Sequence, residues 1–273
     1  MNRTREHVFA YLFLGFFALL SLLPVLGVVV LALNSRDTPV SGFTWPSSLH
    51  FETFSEAWEV AHLSVYLRSS LIVSTLVVVG CTVLSVLSGY AFGTMKFRGD
   101  TWLFYVLLLG LILPFEAVIV PLYYDMRALG LTDTYASIVL PQIGVNVCFG
   151  TFWMRTYFRT VPASMLEAAE MDGAGSFRTL VHVALPMGRP AVLTLVVLLF
   201  MWSWNEFLLP LVMVSEESLR TAPLGLAFFA GQHATDRVGM AAAAVMVSAP
   251  VILMFIVFQR SFIRGIASGA VKE

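Results

Sequence analysis

Charged residues are scarce in this chain. Asp, Glu, Lys and Arg make up 12% of its 273 residues, about half the share of an ordinary soluble domain. Lysine is scarcer still, with only Lys96 and Lys272. Neither follows a glycine, so the chain has no Gly-x-x-x-x-Gly-Lys-Ser/Thr phosphate loop and is not itself an ATPase. No basic stripe is present, which excludes nucleic acid as a partner. The two cysteines, Cys81 and Cys148, both lie in apolar runs, so no disulfide framework is indicated. His7, His50, His62, His182 and His233 are scattered, and neither His-Glu-x-x-His nor Gly-x-Ser-x-Gly occurs. The sequence therefore points away from an enzyme and from a metal site. It shows no internal repeat.

What is abundant is apolar surface: 58% hydrophobic residues, 22 Phe and a mean hydropathy of +0.84. Six apolar segments stand out, at about 9–33, 69–93, 102–124, 136–158, 190–214 and 239–259. Each approaches or exceeds the roughly 20 helical residues that span a hydrocarbon core. The expected fold is all-α, a polytopic membrane protein of six transmembrane helices in one domain, residues 1–273. The first segment follows Arg3 and Arg5, but its run is longer than the roughly 7–15 residues of a signal core, and no small-x-small site closes it. It reads as a retained helix.

Lys and Arg set the expected orientation. With the N-terminus in the cytoplasm, the inside holds Arg3, Arg5, Lys96, Arg98, Arg155, Arg159, Arg178, Arg189, Arg260, Arg264 and Lys272. The outside holds only Arg36, Arg68, Arg127, Arg220 and Arg237. Both termini and a loop at 159–189 then lie inside.

The first outer loop, 34–68, carries Asp37, Glu52, Glu56 and Glu59, with Pro39, Gly42 and Pro46 breaking its start. Phe51 to His62 reads as a short amphipathic helix. Pro114 and Pro121 predict kinks in the third span. Cys81, Ser85, Gly89 and Gly93 recur every four residues in the second span. Such a stripe lets another helix come close, either within this chain or at the seam with a partner. Gly239, Ala241 to Ala244 and Ser248 make a similar run.

The inner loop is the most distinctive stretch. Ser164 and Glu167 have the spacing of a capping box, so a helix is expected from about Ala163. Ala168 and Ala169 are small enough for close approach. Gly173 and Gly175 are expected to end the helix. Ser176 can cap a second one, with Phe177, Leu180, Val181 and Leu185 apolar, and Pro186 and Pro190 are expected to break the chain before the fifth span. The prediction is a helix–turn–helix on the membrane face.

The string Glu167-Ala168-Ala169, two residues, Asp172-Gly173-Ala174, then Leu180, Val183, Pro186 and Pro190 resembles the coupling loop of bacterial ABC-importer permeases. Leu180 stands where that family often has Phe. The resemblance implies that Glu167, Ala168, Ala169, Asp172, Gly173 and Ala174 couple to a separate ATPase. The segments Leu129 to Tyr135, Trp204 to Phe207, and Gln259 and Arg260 with Gly265 to Lys272 look like sugar importers of the maltose type, and more narrowly like the shorter of their two permease subunits. The likeness covers about residues 60–273, and it implies that the cytoplasmic tail, 260–273, reaches the ATPase.

Within the membrane, Trp202, Asn205, Glu206 and, more weakly, Glu116 are candidates for the substrate path. A carboxylate at mid-bilayer costs about 2.5–3.5 kcal/mol on insertion scales, so a lipid-facing placement of either Glu is disfavoured. Aromatic, amide and carboxylate groups together suit sugar hydroxyls, and they equally suit an interhelical hydrogen-bond network. The resemblance implies a heterodimer with a second permease, an ATPase dimer that carries ATP-Mg, an extracytoplasmic sugar-binding protein meeting loops 34–68 and 215–238, and residence in the bacterial inner membrane. No cofactor is expected on this chain. A permease for a non-sugar solute is the alternative within the class. An ion-coupled secondary transporter is the alternative outside it, and it would show inverted repeats.

Overall fold

The computed structural model describes residues 3–36, 45–230 and 236–270, with the backbone alone at 3–6, 8 and 261–270. Asp37, Pro39, Gly42, His233 and Lys272 lie outside the described residues. The order is α1 (Arg3–Ala32), α2 (Glu52–Val60), α3 (Leu63–Thr94), α4 (Asp100–Ile112), α5 (Phe115–Ala128), α6 (Tyr135–Phe158), α7 (Ala163–Met171), α8 (Ser176–Thr179), α9 (Leu185–Met187), α10 (Arg189–Asn205), α11 (Leu208–Met213), α12 (Ala222–Gly225) and α13 (Arg237–Ala270). A π-helical turn, Leu180–Ala184, joins α8 to α9. Among the described residues, four helices are long and apolar enough to cross a membrane. The number is six if each of two sharply bent pairs counts as one span.

The bends correct the expected spans. The third is not a kinked rod: α4 and α5 meet at 98° across Leu113 and Pro114. Pro114 takes an extended ψ of 114° at the start of α5, and its ring disfavours a helical predecessor, so Leu113 is extended too. Pro121, in contrast, is held inside α5. The fifth is not one helix to residue 214: α10 stops at Asn205 and α11 restarts at Leu208. The expected break at 260 is absent, since α13 continues to Ala270. The helix expected at Phe51 to His62 is present as α2.

The chain forms two compact units. The smaller, residues 1–64 and 225–249, holds α1, α2 and the start of α13. The Arg36 guanidinium donates to Asp236 through Nε (2.7 Å) and Nη2, and to Glu56 through Nη1 (2.9 Å). Asp236 in turn accepts the Gly239 N–H at 2.8 Å, capping α13. One cation thus ties α2 to a helix start through charge-assisted bonds. Every described side chain from Phe9 to Leu26 in α1 is exposed, as suits a helix in contact with lipid or with another chain.

The larger unit, residues 65–224 and 250–273, is built on α3 and α6. These run in the same direction, Gly80 lying against Ile143 at one end and Gly93 against Phe158 at the other. A Cβ at Gly89 would stand 2.5 Å from the Met154 Cβ and 2.9 Å from the Arg155 backbone nitrogen. A Cβ at Gly93 would stand 2.9 Å from the Phe158 Cβ. The Ser88 and Thr151 hydroxyls hydrogen-bond across the seam at 2.6 Å. The small-residue stripe therefore packs inside this chain. α10 lies antiparallel on α6, with the Trp153 Nε1–H donating to the Ala191 carbonyl at 2.9 Å. One core layer joins Val86, Tyr90, Met154, Phe158, Leu195 and Leu199. A second joins Val73, Val77, Ile119, Ile138, Leu209 and Met213.

The segment Leu129 to Thr134 owes its composition to two turns. Gly130 has φ +69° and follows α5 as the left-handed residue of a Schellman end, with Leu131 N–H bonded to Met126 O at 2.9 Å. Asp133 then reaches across to the end of α11, its Oδ1 accepting the N–H groups of Ser215 (2.5 Å) and Glu216 (3.0 Å). Those two donors hold its carboxyl below the ordinary carboxylate value.

Two outcomes test this packing. Gly89→Ala should destabilise the subunit by about 1–3 kcal/mol through overpacking, whereas Gly144→Ala, which meets nothing within 4 Å, should be neutral or slightly stabilising in detergent unfolding. A depressed folded pKa contributes stability above the unfolded value of about 3.8, lost as pH falls through the folded one. Wild type should therefore be more stable than Asp133→Asn at neutral pH, and the gap in thermal midpoint should close on acidification below pH 4.

Candidate functional site

The polar loop folds by local rules. Its first helix begins at Ala163, as the sequence implies, but not through a capping box. Pro162 occupies the cap position with ψ 131°, Ser164 is already helical, and no side chain caps the end. Proline takes over because its fixed φ suits a helix entry and it has no N–H to satisfy. The end of α7 is another Schellman motif: Gly173 N–H bonds Glu170 O and Ala174 N–H bonds Ala169 O, each at 2.9 Å. Gly173 has φ +76°. Asp172 is the C-cap, and Ala169 and Ala174 are the small pair that the turn brings together. Gly175 does not end this helix. It precedes α8 in an extended conformation (ψ 164°), and Ser176 is the first residue of α8, not its cap.

The second half of the loop departs from expectation in detail. The chain does break before α10, as expected, but between the two prolines: Pro186 lies in a short helix before the break and Pro190 in the first turn after it. The 81° bend between Ser176–Met187 and α10 falls at Gly188. A Cβ there would meet the Tyr157 ring at 2.6 Å, so glycine is required by close approach.

The loop presents two faces. Glu167, Ala168, Glu170, Asp172 and Gly173 are exposed, and so are Met171 (87%) and Phe177 (71%). Ala169 is buried and Ala174 half-buried, so of the two alanines only Ala168 is available to another surface. On the inner face, Leu166, Leu180, Ala184 and Leu185 join the core layer of Tyr90, Met154, Phe158 and Leu195. An acidic, partly apolar surface is thus bolted to the ends of three spans. Sequence reasoning did not single out Glu170 and Met171, and it placed Phe177 in an apolar set without foreseeing its exposure. Their signal was amphipathicity: large apolar side chains on a face that carries three acids.

The pathway candidates separate. Trp202 is 43% exposed and meets Phe149 edge to face at 4.9 Å. Phe149 stacks on Trp153 at 6.1 Å. Neither Phe149 nor Trp153 was singled out from sequence. Trp204 is buried against Phe200. Asn205 is exposed and donates to the Met201 carbonyl of its own helix at 2.8 Å. Glu206 is half-buried and has a local role: its Oε1 accepts the Leu209 N–H at 3.0 Å, capping α11 where the span restarts. Glu116 lies exposed in the first turn of α5, where a carboxylate suits the helix dipole. No hydrogen bond joins it to Trp202, Asn205 or Glu206 among the described residues. Nor, among those residues, do three His, Cys, Asp or Glu converge on a possible metal position.

Glu206→Ala should cost about 0.5–2 kcal/mol through loss of the α11 cap, read as a lower unfolding midpoint in detergent. A Glu206 that served the path alone would leave that midpoint unchanged.

With this geometry in hand, likeness to known proteins is informative. Residues 82–268 match the family described as binding-protein-dependent transport system inner membrane component. A probable ABC transporter permease protein, YurM of Bacillus subtilis, is 35% identical, covering 97% of this chain and 88% of that protein. The diacetylchitobiose uptake system permease protein NgcG of Streptomyces coelicolor is 30% identical, covering 92% and 84%. Among solved structures, a chain of a bacterial ABC transporter involved in import of the acidic polysaccharide alginate superposes with a TM-score of 0.79. It is 22% identical and covers 96% of this chain and 98% of that one. The chain belongs to the inner-membrane components of binding-protein-dependent transport systems and is an ABC transporter permease subunit.

Proposed function

We propose that this permease carries a sugar or oligosaccharide inward, as one half of a heterodimer served by an extracytoplasmic binding protein. The observation that carries the reading is the bolted loop: an exposed acidic helix whose inner face is core to α3, α6 and α10. A push on α7 must therefore move the spans, because packed cores do not deform continuously. The saccharide class is supported by relatives whose names specify sugar uptake, and by the exposed Trp202 edge with Asn205 beside it. Family membership sets aside the ion-coupled secondary transporter. Both termini lie in the cytoplasm, following the excess of Lys and Arg on that side.

In this reading residues 1–273 serve as one transmembrane domain. Glu167, Ala168, Ala169, Asp172, Gly173 and Ala174 form the ATPase-coupling element. Glu167 and Ala168 face the ATPase, while Ala169, Gly173 and Ala174 hold the turn. Glu170 and Met171 extend the docking surface. ATP-Mg is bound and hydrolysed on the partner, and this chain binds no cofactor. Closure of the ATPase dimer carries α7 inward, and the spans switch the cavity from one side to the other. Trp202, Asn205 and Glu206 border the path at the break between α10 and α11, with Glu116 at the other break. The loops near 34–68 and 215–238 meet the binding protein.

The test is ATP-dependent uptake of labelled saccharides by vesicles holding the complete transporter. Because no neighbour lies within 4 Å of a Cβ at Gly173, a side chain there acts through φ, and proline in addition removes the N–H bonded to Glu170 O. Gly173→Asn, which tolerates the left-handed region, should keep most uptake. Gly173→Val and Gly173→Pro should abolish coupled uptake while the subunit still assembles, as judged by co-purification. Normal transport by the proline variant would overturn the coupling role. Failure of every saccharide, with coupling intact, would overturn the sugar assignment.

A further inference from the structure

Two cavities open side by side in the larger unit, where the second half of the polar loop meets α3 and α10. The first, about 320 Å³, is lined by Val181, Leu185, Pro186, Val192 and Leu193, with Arg189 at its edge. The second, about 230 Å³, shares Val181, Leu185 and Val192, takes in Phe177 and Leu180 of the loop, and extends to Val83, Val86 and Leu87 of α3. Apart from the Thr82 hydroxyl it carries no polar side chain. The two make one groove, apolar along its length, with a single cation at one end.

That cation is unneutralised among the described residues. No carboxylate lies within ion-pair distance of Arg189 among the described residues, and Arg189 is exposed. It is the first residue of α10, so the positive end of the helix dipole adds to its charge. The groove also opens onto the outward side of α3, where Val79, Val83 and Leu87 are 57, 53 and 43% exposed. An occupant must be long and apolar, and must bring an anion to the level at which the span begins.

We propose that this groove is a binding site for an anionic phospholipid, its acyl chain lying along Val192, Val181 and Val83 and its phosphate on the Arg189 guanidinium. Basic pockets between membrane helices at the cytoplasmic side recognise lipid headgroups by this chemistry. A helix of the second permease could fill the apolar part but offers no reason for a lone guanidinium at its end. Assignment to the inner leaflet rests on the orientation proposed above; the site itself does not. A lipid here touches both the loop and α10, so its headgroup is placed to influence coupling.

The experiment is photolabelling of the complete transporter in nanodiscs, using phosphatidylglycerol with a diazirine on its acyl chain and a matched phosphatidylcholine probe. Adducts are mapped by mass spectrometry. Phosphatidylglycerol should label peptides containing Val181 and Val192 in preference to phosphatidylcholine. Arg189→Ala should reduce that labelling about fivefold, the factor for one basic side chain near an anionic lipid, and Arg189→Lys should retain it. Val192→Trp, which fills the groove and leaves the cation in place, should block it. Equal labelling by both probes, labelling indifferent to both variants, or adduct-free peptides with Val192→Cys crosslinking to the second permease would each overturn the proposal. Labelling does not require transport, so a wrong substrate or coupling assignment leaves this test readable.

Discussion

The contact on which the larger unit depends is the close approach of α3 and α6. At Gly89 and Gly93 there is no room for a methyl group, and the facing atoms include backbone. Backbones held that near exchange many dispersion contacts, each worth only about 0.1–0.2 kcal/mol. In hydrocarbon, where apolar side chains gain nothing by leaving the solvent, such packing is a main source of helix association. The Tyr90 and Phe158 rings, edge to face at 5.4 Å, close the same seam. α10 then lies on α6, and the loop residues Leu180 and Ala184 seat on all three helices. Remove the seam and the loop has nothing rigid to move.

Rigidity at one end is matched by interruption elsewhere. α4 and α5 part at Leu113 and Pro114, and α10 and α11 part at Glu206 and Phe207. Backbone freed from helical bonding at membrane depth must be buried in protein or line a wet cavity. The Glu206 cap answers part of that demand by satisfying the Leu209 N–H. A residue that a substrate-centred reading assigns to sugar hydroxyls is thus engaged through one oxygen by the Leu209 N–H. Two Schellman ends, at Gly130 and Gly173, stop α5 and α7 by one device. Both glycines are explained by φ, not by space.

Much of this was legible in the chain because its causes are local. Apolar length placed the spans, and the boundaries of α6 fall within a residue of those read from hydropathy. The Gly173 turn was legible because only a left-handed residue ends a helix in that way. The Ser164 cap was misread because Pro162, two residues earlier, competes for the same role and wins. The break near Pro186 and Pro190 was legible, since proline is at home in a first helical turn. Its place at Gly188 was not, because the Tyr157 ring that leaves no room for a Cβ there is thirty-one residues away in sequence.

The sequence by itself determined that this is a membrane protein of apolar helices with a polar, acidic loop, because composition and periodicity act through each segment's own transfer from water. It also determined that α7 ends at Gly173, since backbone sterics need no neighbour. Only the tertiary structure decided which face of that loop is outward. Leu166 and Leu180 turn in because α3, α6 and α10 present a core layer to receive them, and Met171 and Phe177 are left out. Only it decided that the small-residue stripe is spent within the chain, that Phe149 joins Trp202, and that Glu206 caps a restarted helix. Each of these depends on contacts between segments far apart in sequence, and no local pattern encodes which distant side chain arrives.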